Sequence, residues 1–201
     1  MNNTVLTKTY PHFPFNEKMI LRFAGVTSST PQIECLLKEC LEEVKDKFSY
    51  KICFTECDII PDKNHVDFGL FTADSKSLKS HLIGCNSAIV FAATVGIEID
   101  KTIAKYSEIS PSKALILAAI GNERIEGLCD IFCQEIEENK NEKYFKTTTR
   151  FSAGYGDLKL ETQKELFRIL QCHRNIGLTL NDSLIMSPTK SVTAIIGLKE
   201  D

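Results

Sequence analysis

The sequence predicts an α+β protein in which a twisted, mainly antiparallel sheet is packed against helices. Segments with strand composition and segments with helical periodicity alternate irregularly along the 201 residues. The repeated glycine-rich strand-to-helix turns of a dinucleotide-binding fold are not found. A hydrophobic content of 43% is enough for one sizeable core. We therefore expect a single domain over residues 1–201, in which residues 1–15 form an extended N-terminal arm.

Two helix starts can be identified near the beginning of the chain. Asn16 is a capping residue for a short helix over 17–24, which Gly25 would end. Thr30 and Pro31 suit the N-cap and first helical positions of a second helix. Apolar residues recur there at helical spacing and predict one buried face, formed by Ile33, Leu36, Leu37, Leu41 and Val44.

Strand-like segments follow. We predict strands over 50–55 and 67–72, separated by a proline turn, and then a short helix that starts at Ser75 or Ser77. Residues 88–93 form an apolar run of strand length without alternation. Such a run indicates a strand buried on both faces.

The middle of the chain predicts helices. After a helix over 97–106, Ser110 and Pro111 mark the start of a long helix that runs to about residue 138. A polar break then precedes a strand over 143–149. The long helix carries an apolar stripe formed by Leu115, Ala118, Ala119, Ile125, Leu128, Cys129, Phe132 and Ile136.

The segment 150–197 predicts a loop, a helix over 161–170, a short strand over 176–180, a proline turn and a final strand. Its first residues contain an Arg four positions before a Gly-Tyr pair, Arg150, Gly154 and Tyr155. A guanidinium offers a rigid fork of donors to a carboxylate, and a glycine lets the backbone approach a ligand closely. The pattern suggests a small-molecule site.

Charge and composition exclude several classes of partner. The formal net charge is −3 and no long basic run is present, so we expect neither a nucleic-acid partner nor binding to an anionic membrane surface. No stretch reaches membrane-spanning length and the N-terminus does not resemble a secretion signal. These features predict a cytoplasmic protein.

Cysteines and histidines give no sign of a metal site. The eight cysteines contain no C-x-x-C pair, and most fall within predicted helices or strands, where a reduced thiol packs as a small hydrophobe. The four histidines have no ligand spacing. We therefore predict no bound metal.

Several further motifs accompany the Arg-x-x-x-Gly-Tyr pattern. In order and spacing they resemble the activation domain of cobalamin-dependent methionine synthase over roughly residues 75–197. The matching pieces are Leu82-Ile-Gly-Cys85, the run Ile-Val-Phe-Ala-Ala-Thr-Val-Gly at 89–96, Ile125-Glu126, Ile-Gly-x-x-Leu at 176–180 and Met-x-Pro-x-x-Ser-Val at 186–192.

The resemblance implies a fold, a ligand and a reaction. The family's activation domain is α+β, which agrees with the class predicted above. Its ligand is S-adenosylmethionine, and its methyl acceptor is a cobalamin carried by a partner protein, cobalamin-dependent methionine synthase or another corrinoid protein. The reaction is a reductive methylation of inactive cob(II)alamin, with the electron supplied by flavodoxin or a similar donor.

The resemblance also assigns residues. Arg150 would hold the methionyl carboxylate, with Ala153 and Gly154 against the adenosine. Tyr155 would lie near the methyl donor and the corrin, as the candidate catalytic residue. Glu126 would face the cationic part of the ligand. Met186, Pro188 and Ser191 would help to shape the cleft for ligand and corrin.

Each assignment has a simpler alternative. Arg150 could be a strand-end arginine paired with a nearby acid, and Tyr155 an ordinary half-buried aromatic. Glu126 could be an exposed acid at the edge of the apolar stripe. The segment around Pro188 could be turn chemistry alone.

The chain departs from the family pattern. Gly156 stands where the family has Pro, which predicts a looser loop. An N-terminal Asp-Trp segment has no counterpart, since the chain contains no Trp. The family's C-terminal extension, with a further ligand-contacting Tyr, is also missing. We expect these departures to affect the affinity for S-adenosylmethionine.

Three functions follow, in order of preference. The first is a free-standing activation subunit that acts in trans on a cobalamin-dependent methionine synthase, as an accessory component of that methyltransferase. The second is a non-catalytic accessory protein that docks on a corrinoid methyltransferase. The third is an ordinary methyltransferase, ranked last because the glycine-rich strand-end loop of the usual S-adenosylmethionine folds is missing.

Overall fold

The structure is a computed structural model that describes residues 4–61, 65–140 and 145–200. The helices in these ranges are α1 (Glu17–Phe23), α2 (Pro31–Val44), α3 (Lys76–His81), α4 (Glu98–Tyr106), α5 (Pro111–Lys140), α6 (Thr162–Leu170) and α7 (Cys172–Ile176). The strands are β1 (Leu6–Tyr10), β2 (Tyr50–Asp58), β3 (Ile60–Pro61), β4 (Val66–Asp67), β5 (Thr72–Ala73), β6 (Ser87–Thr94), β7 (Phe145–Thr147), β8 (Thr179–Leu180), β9 (Met186–Ser187) and β10 (Ser191–Glu200).

A central antiparallel sheet organises the molecule. In the described part of the chain, five strands form it in the order β1-β2-β6-β10-β7, and each neighbouring pair is antiparallel. The apolar strand predicted at 88–93 is β6, the middle strand, and its residues are buried on both faces. The predicted α+β class with a mainly antiparallel sheet is therefore confirmed.

The sheet separates two hydrophobic cores, because alternate residues of a strand point to opposite faces. On one face Ile89 and Phe91 of β6 pack with residues of α1, α2 and α5. The ring of Phe132 on α5 lies 5.0 Å from that of Phe91. On the other face, Ala88, Val90 and Ala92 pack with residues of three helices. These residues include Leu78 of α3, Leu166 of α6 and Cys172 of α7.

The helix starts predicted from capping residues are confirmed. The Asn16 side chain accepts a hydrogen bond from the Met19 amide at 3.1 Å, and that of Thr30 accepts one from Ile33 at 3.4 Å. Of the two alternatives for α3, Ser75 is the N-cap. Such caps supply acceptors for amides that have no partner inside the helix.

The N-terminal arm contributes to the sheet. Its residues 6–10 form the edge strand β1, in register with β2 so that Lys8 faces Ile52. The arm continues past Phe13 and Pro14, whose carbonyl oxygens accept hydrogen bonds from Arg124 of α5. Arg124 is fully buried and also pairs with Glu123. An arginine in the core thus holds the arm against α5.

Two predicted strands are wrong in detail. The segment 67–72 is a hairpin turn between β4 and β5, in which the Asp67 carboxylate accepts a hydrogen bond from the Gly69 amide and Gly69 has a φ of +71°. The segment 176–180 begins inside α7, and Gly177, at φ +71°, ends that helix before β8. Both glycines adopt a conformation that interrupts a strand.

The long helix is confirmed as α5, with one correction to its apolar stripe. Leu115 is 54% exposed, whereas Ile116 and Leu117 are buried. The predicted strand 143–149 corresponds to β7, although residues 143 and 144, like residues 62–64 of the predicted proline turn, lie outside the described residues. Among the helices that the structure describes, none has the length and apolar character needed to cross a membrane.

Candidate functional site

Arg150 lies where the chain leaves β7 and runs beside β10. The next residue, Phe151, exchanges two backbone hydrogen bonds with Ile195 of β10, at 2.9 and 2.8 Å. This short bridge fixes the backbone immediately after Arg150, so the direction of the arginine is set by the sheet rather than by a free loop.

The Arg150 guanidinium reaches across to α5. Its Nη2 donates to Glu126 Oε2 at 2.7 Å and to Asp130 Oδ1 at 3.0 Å. The two acids are one helical turn apart and therefore lie on the same face of α5. Both ion pairs use a single nitrogen of the guanidinium. The arrangement places a cation and two carboxylates side by side, with 24% of the Arg150 side chain exposed.

Two cysteines of α5 lie behind this cluster. Burial raises the pKa of the Cys129 thiol to about 12 and that of Cys133 to about 11. Both are therefore neutral thiols near pH 7, which makes them poor nucleophiles. All eight cysteines lie in the described ranges, where none forms a disulfide. The same ranges contain no group of three or more metal-binding side chains.

The loop after Arg150 is held by its own backbone. The Gly154 amide donates to the Leu158 carbonyl at 2.8 Å, and the Tyr155 amide to that of Ser152 at 3.0 Å. Ala153 and Leu158 are buried, whereas Tyr155 is 56% exposed. The Tyr155 ring meets that of Phe151 edge to face, with centroids 5.9 Å apart. The loop thus presents a tyrosine ring outward within five residues of Arg150.

Asp157 clamps this loop onto α3. Its carboxylate accepts hydrogen bonds from Ser75 Oγ, from the Lys76 amide at 2.9 Å and from the Ser77 amide at 3.0 Å. These donors favour the charged form and lower the pKa of Asp157, the Ser75 hydroxyl most of all. The acid that follows the Gly-Tyr motif is therefore tied to a segment about eighty residues earlier.

Gly156 fits the clamp closely. It has a φ of +55°, and a Cβ added to it would lie 2.6 Å from Ser77 Oγ. Proline, which fixes φ near −65°, could not adopt this conformation. The expectation that Gly156 loosens the loop is therefore wrong, because Gly156 packs closely against Ser77 in a conformation that proline could not adopt.

The clamp predicts a pH-dependent contribution to stability. Because the pKa of Asp157 is lowered in the folded state, its contribution is fully present above the unfolded value of about 4 and is lost as the pH falls further. In urea unfolding, Asp157→Asn should be less stable than wild type at pH 7, and the difference should shrink below about pH 4. The exposed Asp182→Asn is the control. A difference that is constant from pH 7 to pH 3 would contradict the clamp.

The other three predicted site residues, Met186, Pro188 and Ser191, lie away from the Arg150 cluster. Ser191 faces Thr94 at the start of β10, four residues before Ile195, a separation of about 13 Å along an extended strand. The Ser191 hydroxyl donates to the Pro188 carbonyl at 2.8 Å and lies within hydrogen-bond distance of the Thr94 hydroxyl, at 2.9 Å. Met186 is half-buried in the hairpin β8–β9. The structure therefore brings Glu126, Arg150 and the 153–155 loop together, but not these three residues.

Pro188 borders a separate cavity of about 460 Å³. The Ser187–Pro188 peptide bond is cis, and Pro188 is buried. Lysines and small residues line much of the rest of the cavity, with Ile97, Glu98 and Ile176 beside them. This cavity lies at the end of β6 where β10 begins, away from Arg150.

Sequence reasoning missed two contributors to the Arg150 region. Asp130 could have been identified by its spacing of four from Glu126, which places both acids on one helix face. Asp157 carried no local signal, because its partners Ser75, Lys76 and Ser77 are distant in the sequence.

Two comparisons find similarity to known proteins, one over residues 71–201 and one over the whole chain. The family model described as "Vitamin B12 dependent methionine synthase, activation domain" matches residues 71–201. A solved structure described as "Crystal Structure of the MetH Reactivation Domain bound to AdoHcy" superposes with a TM-score of 0.69 at 12% sequence identity, covering 100% of this chain and 80% of the other. A comparison with curated proteins finds no match.

Proposed function

The chain belongs to the family of vitamin B12-dependent methionine synthase activation domains, and from this premise we propose that it binds S-adenosylmethionine and acts in trans on a corrinoid methionine synthase. In the proposed reaction, one electron and the methyl group of S-adenosylmethionine convert cob(II)alamin on the partner into methylcobalamin. S-adenosylhomocysteine is released. The whole chain superposes on one reactivation domain, which supports its action as that module.

The observation that carries the proposal is the Arg150–Glu126–Asp130 cluster. The amino-acid end of S-adenosylmethionine is a zwitterion, with a carboxylate and an ammonium group, and a sulfonium lies nearby. Arg150 offers donors to the carboxylate, and Glu126 and Asp130 offer acceptors to the cations. A cluster that contains both signs of charge matches such a ligand better than it matches a simple anion.

The neighbouring loop would hold the remainder of the ligand. Ala153 and Gly154 would bring backbone close to the adenosine, because Gly154 has no side chain and a φ of +91°. Tyr155, exposed by 56%, would cover the methyl donor and exclude water from it, as the residue nearest the reacting atoms. Met186, Pro188 and Ser191 lie apart from this loop and are not part of the proposed ligand site.

The proposed reaction also needs an electron donor and a methyl acceptor, which other proteins would supply. We propose a flavodoxin-like protein as the electron donor and a cobalamin-dependent methionine synthase as the methyl acceptor. Cobalamin supplies the cobalt that takes up the electron and the methyl group. The chain would thus be an accessory component of a methyltransferase.

Calorimetric titration tests the ligand part of this proposal. S-adenosylmethionine should bind the wild-type chain, and decarboxylated S-adenosylmethionine should bind about tenfold or more weakly because it lacks the carboxylate that Arg150 would hold. Equal affinity for the two ligands would contradict the assigned orientation. Absence of binding by either, in the presence of the corrinoid partner as well, would exclude the proposed ligand.

A second candidate is a non-catalytic accessory protein that docks on a corrinoid methyltransferase. The specific observation in its favour is that Arg150 is already paired with two carboxylates of the chain itself. This alternative predicts that binding to the corrinoid protein is unchanged by Arg150→Ala and by S-adenosylmethionine. A pull-down with the variant and with the ligand distinguishes the two functions.

A further inference from the structure

A second surface of the molecule has features of a binding site. A groove of about 650 Å³ lies between α6, α7 and β8. Its floor is apolar and is formed by Phe167, Cys172, Leu178 and Leu180. Its rim is formed by basic side chains, Lys164, Arg168, His173 and Arg174. We refer to these residues as the α6–α7 groove.

The rim of the groove is positive although the chain as a whole has a net charge of −3. Within the described ranges, the side chains of Lys164 and Arg174 make no ion pair or hydrogen bond. Arg168 is the exception, since it donates to Glu165 Oε2 at 2.7 and 2.9 Å. No acid lines the groove among the residues that the structure describes. Unpaired cations gathered on one surface favour a negatively charged partner.

The shape of the groove indicates the kind of partner. Pockets for small ligands enclose most of the ligand surface, whereas this groove is shallow and open to solvent. Beside β8, Ile185 is 58% exposed in the turn between β8 and β9. An open apolar strip with a charged rim is typical of a surface that receives an amphipathic protein segment.

The groove lies apart from the Arg150 cluster. The helices α6 and α7 pack on the face of the sheet that carries Val90 and Ala92. The opposite face is covered by α5, on which Glu126 and Asp130 pair with Arg150. A partner in the groove would therefore leave the side chains of Arg150, Glu126 and Asp130 uncovered.

We propose that the α6–α7 groove is a docking surface for an acidic amphipathic segment of a partner protein. Apolar side chains of the segment lie on Phe167 and Leu180, the partly exposed apolar residues of the groove. Its carboxylates face Lys164 and Arg174. This proposal does not rest on the proposed methylation function, because it follows from the shape and charge of the groove alone.

The probe is a synthetic 16-mer peptide of about four helical turns with leucines on one face and glutamates on the other. The control peptide carries lysines in place of the glutamates. Binding is followed by fluorescence anisotropy and by backbone amide NMR. The acidic peptide should bind with a dissociation constant of roughly tens of micromolar at low salt, and should shift the amide resonances of α6, α7 and β8. The lysine peptide should bind at least about tenfold more weakly.

Paired charge reversals locate the site. Lys164→Glu with Arg174→Glu should weaken acidic-peptide binding by about tenfold or more. The matched control, Lys18→Glu with Lys38→Glu, makes the same charge change at exposed positions on α1 and α2, across the sheet, and should leave the affinity within about twofold. NMR spectra of each variant confirm that it is folded.

Several outcomes would overturn the proposal. They are the absence of acidic-peptide binding, equal losses from the two pairs of reversals, and equal binding of the lysine peptide. Free glutamate at the same carboxylate concentration separates a peptide surface from a small-anion site. If glutamate alone reproduces the resonance shifts, the groove binds small carboxylates and the protein-docking proposal fails.

Discussion

Arg124→Leu should destabilise the protein by about 3–5 kcal/mol, the range expected when one partner of a buried ion pair is removed. Arg124 has no exposed surface, and its guanidinium lies 4.2 Å from the ring centroids of both Phe13 and Phe15. It donates to the carbonyls of Phe13 and Pro14 and to Glu123. Without it, the buried Glu123 carboxylate loses its charge partner and the arm loses its attachment to α5.

Urea unfolding measures this effect. Lys38→Leu on the exposed face of α2 is the control and should change the free energy of unfolding by less than about 0.5 kcal/mol. Glu123→Leu combined with Arg124→Leu should cost less than Arg124→Leu alone, because the double variant leaves no unpaired buried charge. A loss of less than about 1 kcal/mol for Arg124→Leu would mean that the arm is not held by this residue.

Arg150→Ala should weaken S-adenosylmethionine binding by about thirtyfold or more, the loss expected when a hydrogen-bonded charge partner is truncated. Arg150→Lys should recover little of the affinity, since an ammonium cannot present the planar fork of a guanidinium to a carboxylate. The measurement is calorimetric titration of each variant beside wild type.

The control for this experiment is Arg168→Ala, which removes the same side chain from α6, where it pairs with Glu165. It should bind S-adenosylmethionine as wild type does. Arg150→Ala leaves Glu126 and Asp130 as like charges one helical turn apart, which destabilises α5. Thermal unfolding of the variant therefore has to show that it is folded. If a folded Arg150→Ala binds the ligand with wild-type affinity, Arg150 is a structural ion-pair residue and the assigned ligand role is wrong.

The features that the sequence predicted well depend on neighbouring residues. Asn16 and Thr30 were identifiable as caps because a cap bonds to amides two or three residues away. The central strand β6 was identifiable because burial on both faces leaves a continuous apolar run. The fold class followed from such elements, since it requires their types and order but not their contacts.

The features that it missed depend on distant contacts or on backbone conformation. Gly177 has a left-handed conformation that ends α7 inside the predicted strand 176–180. Asp157 and Ser75 are joined across 82 positions, and Arg124 and Phe13 across 111. Periodicity and propensity contain no information on such pairs. The grouping of Glu126 with Arg150 was accessible only through the family resemblance, which placed both at one ligand.

The most direct test of the proposed function is reconstitution in trans. Purified chain, S-adenosylmethionine and a flavodoxin-like reductant are added to a cobalamin-dependent methionine synthase that lacks its own activation domain and has been oxidised to the cob(II)alamin state. The absorbance spectrum of the corrin then reports the conversion of cob(II)alamin. Conversion to methylcobalamin should require both the chain and S-adenosylmethionine and should be lost with Arg150→Ala. Conversion at the same rate without the chain, or none in its presence, would contradict the proposed function.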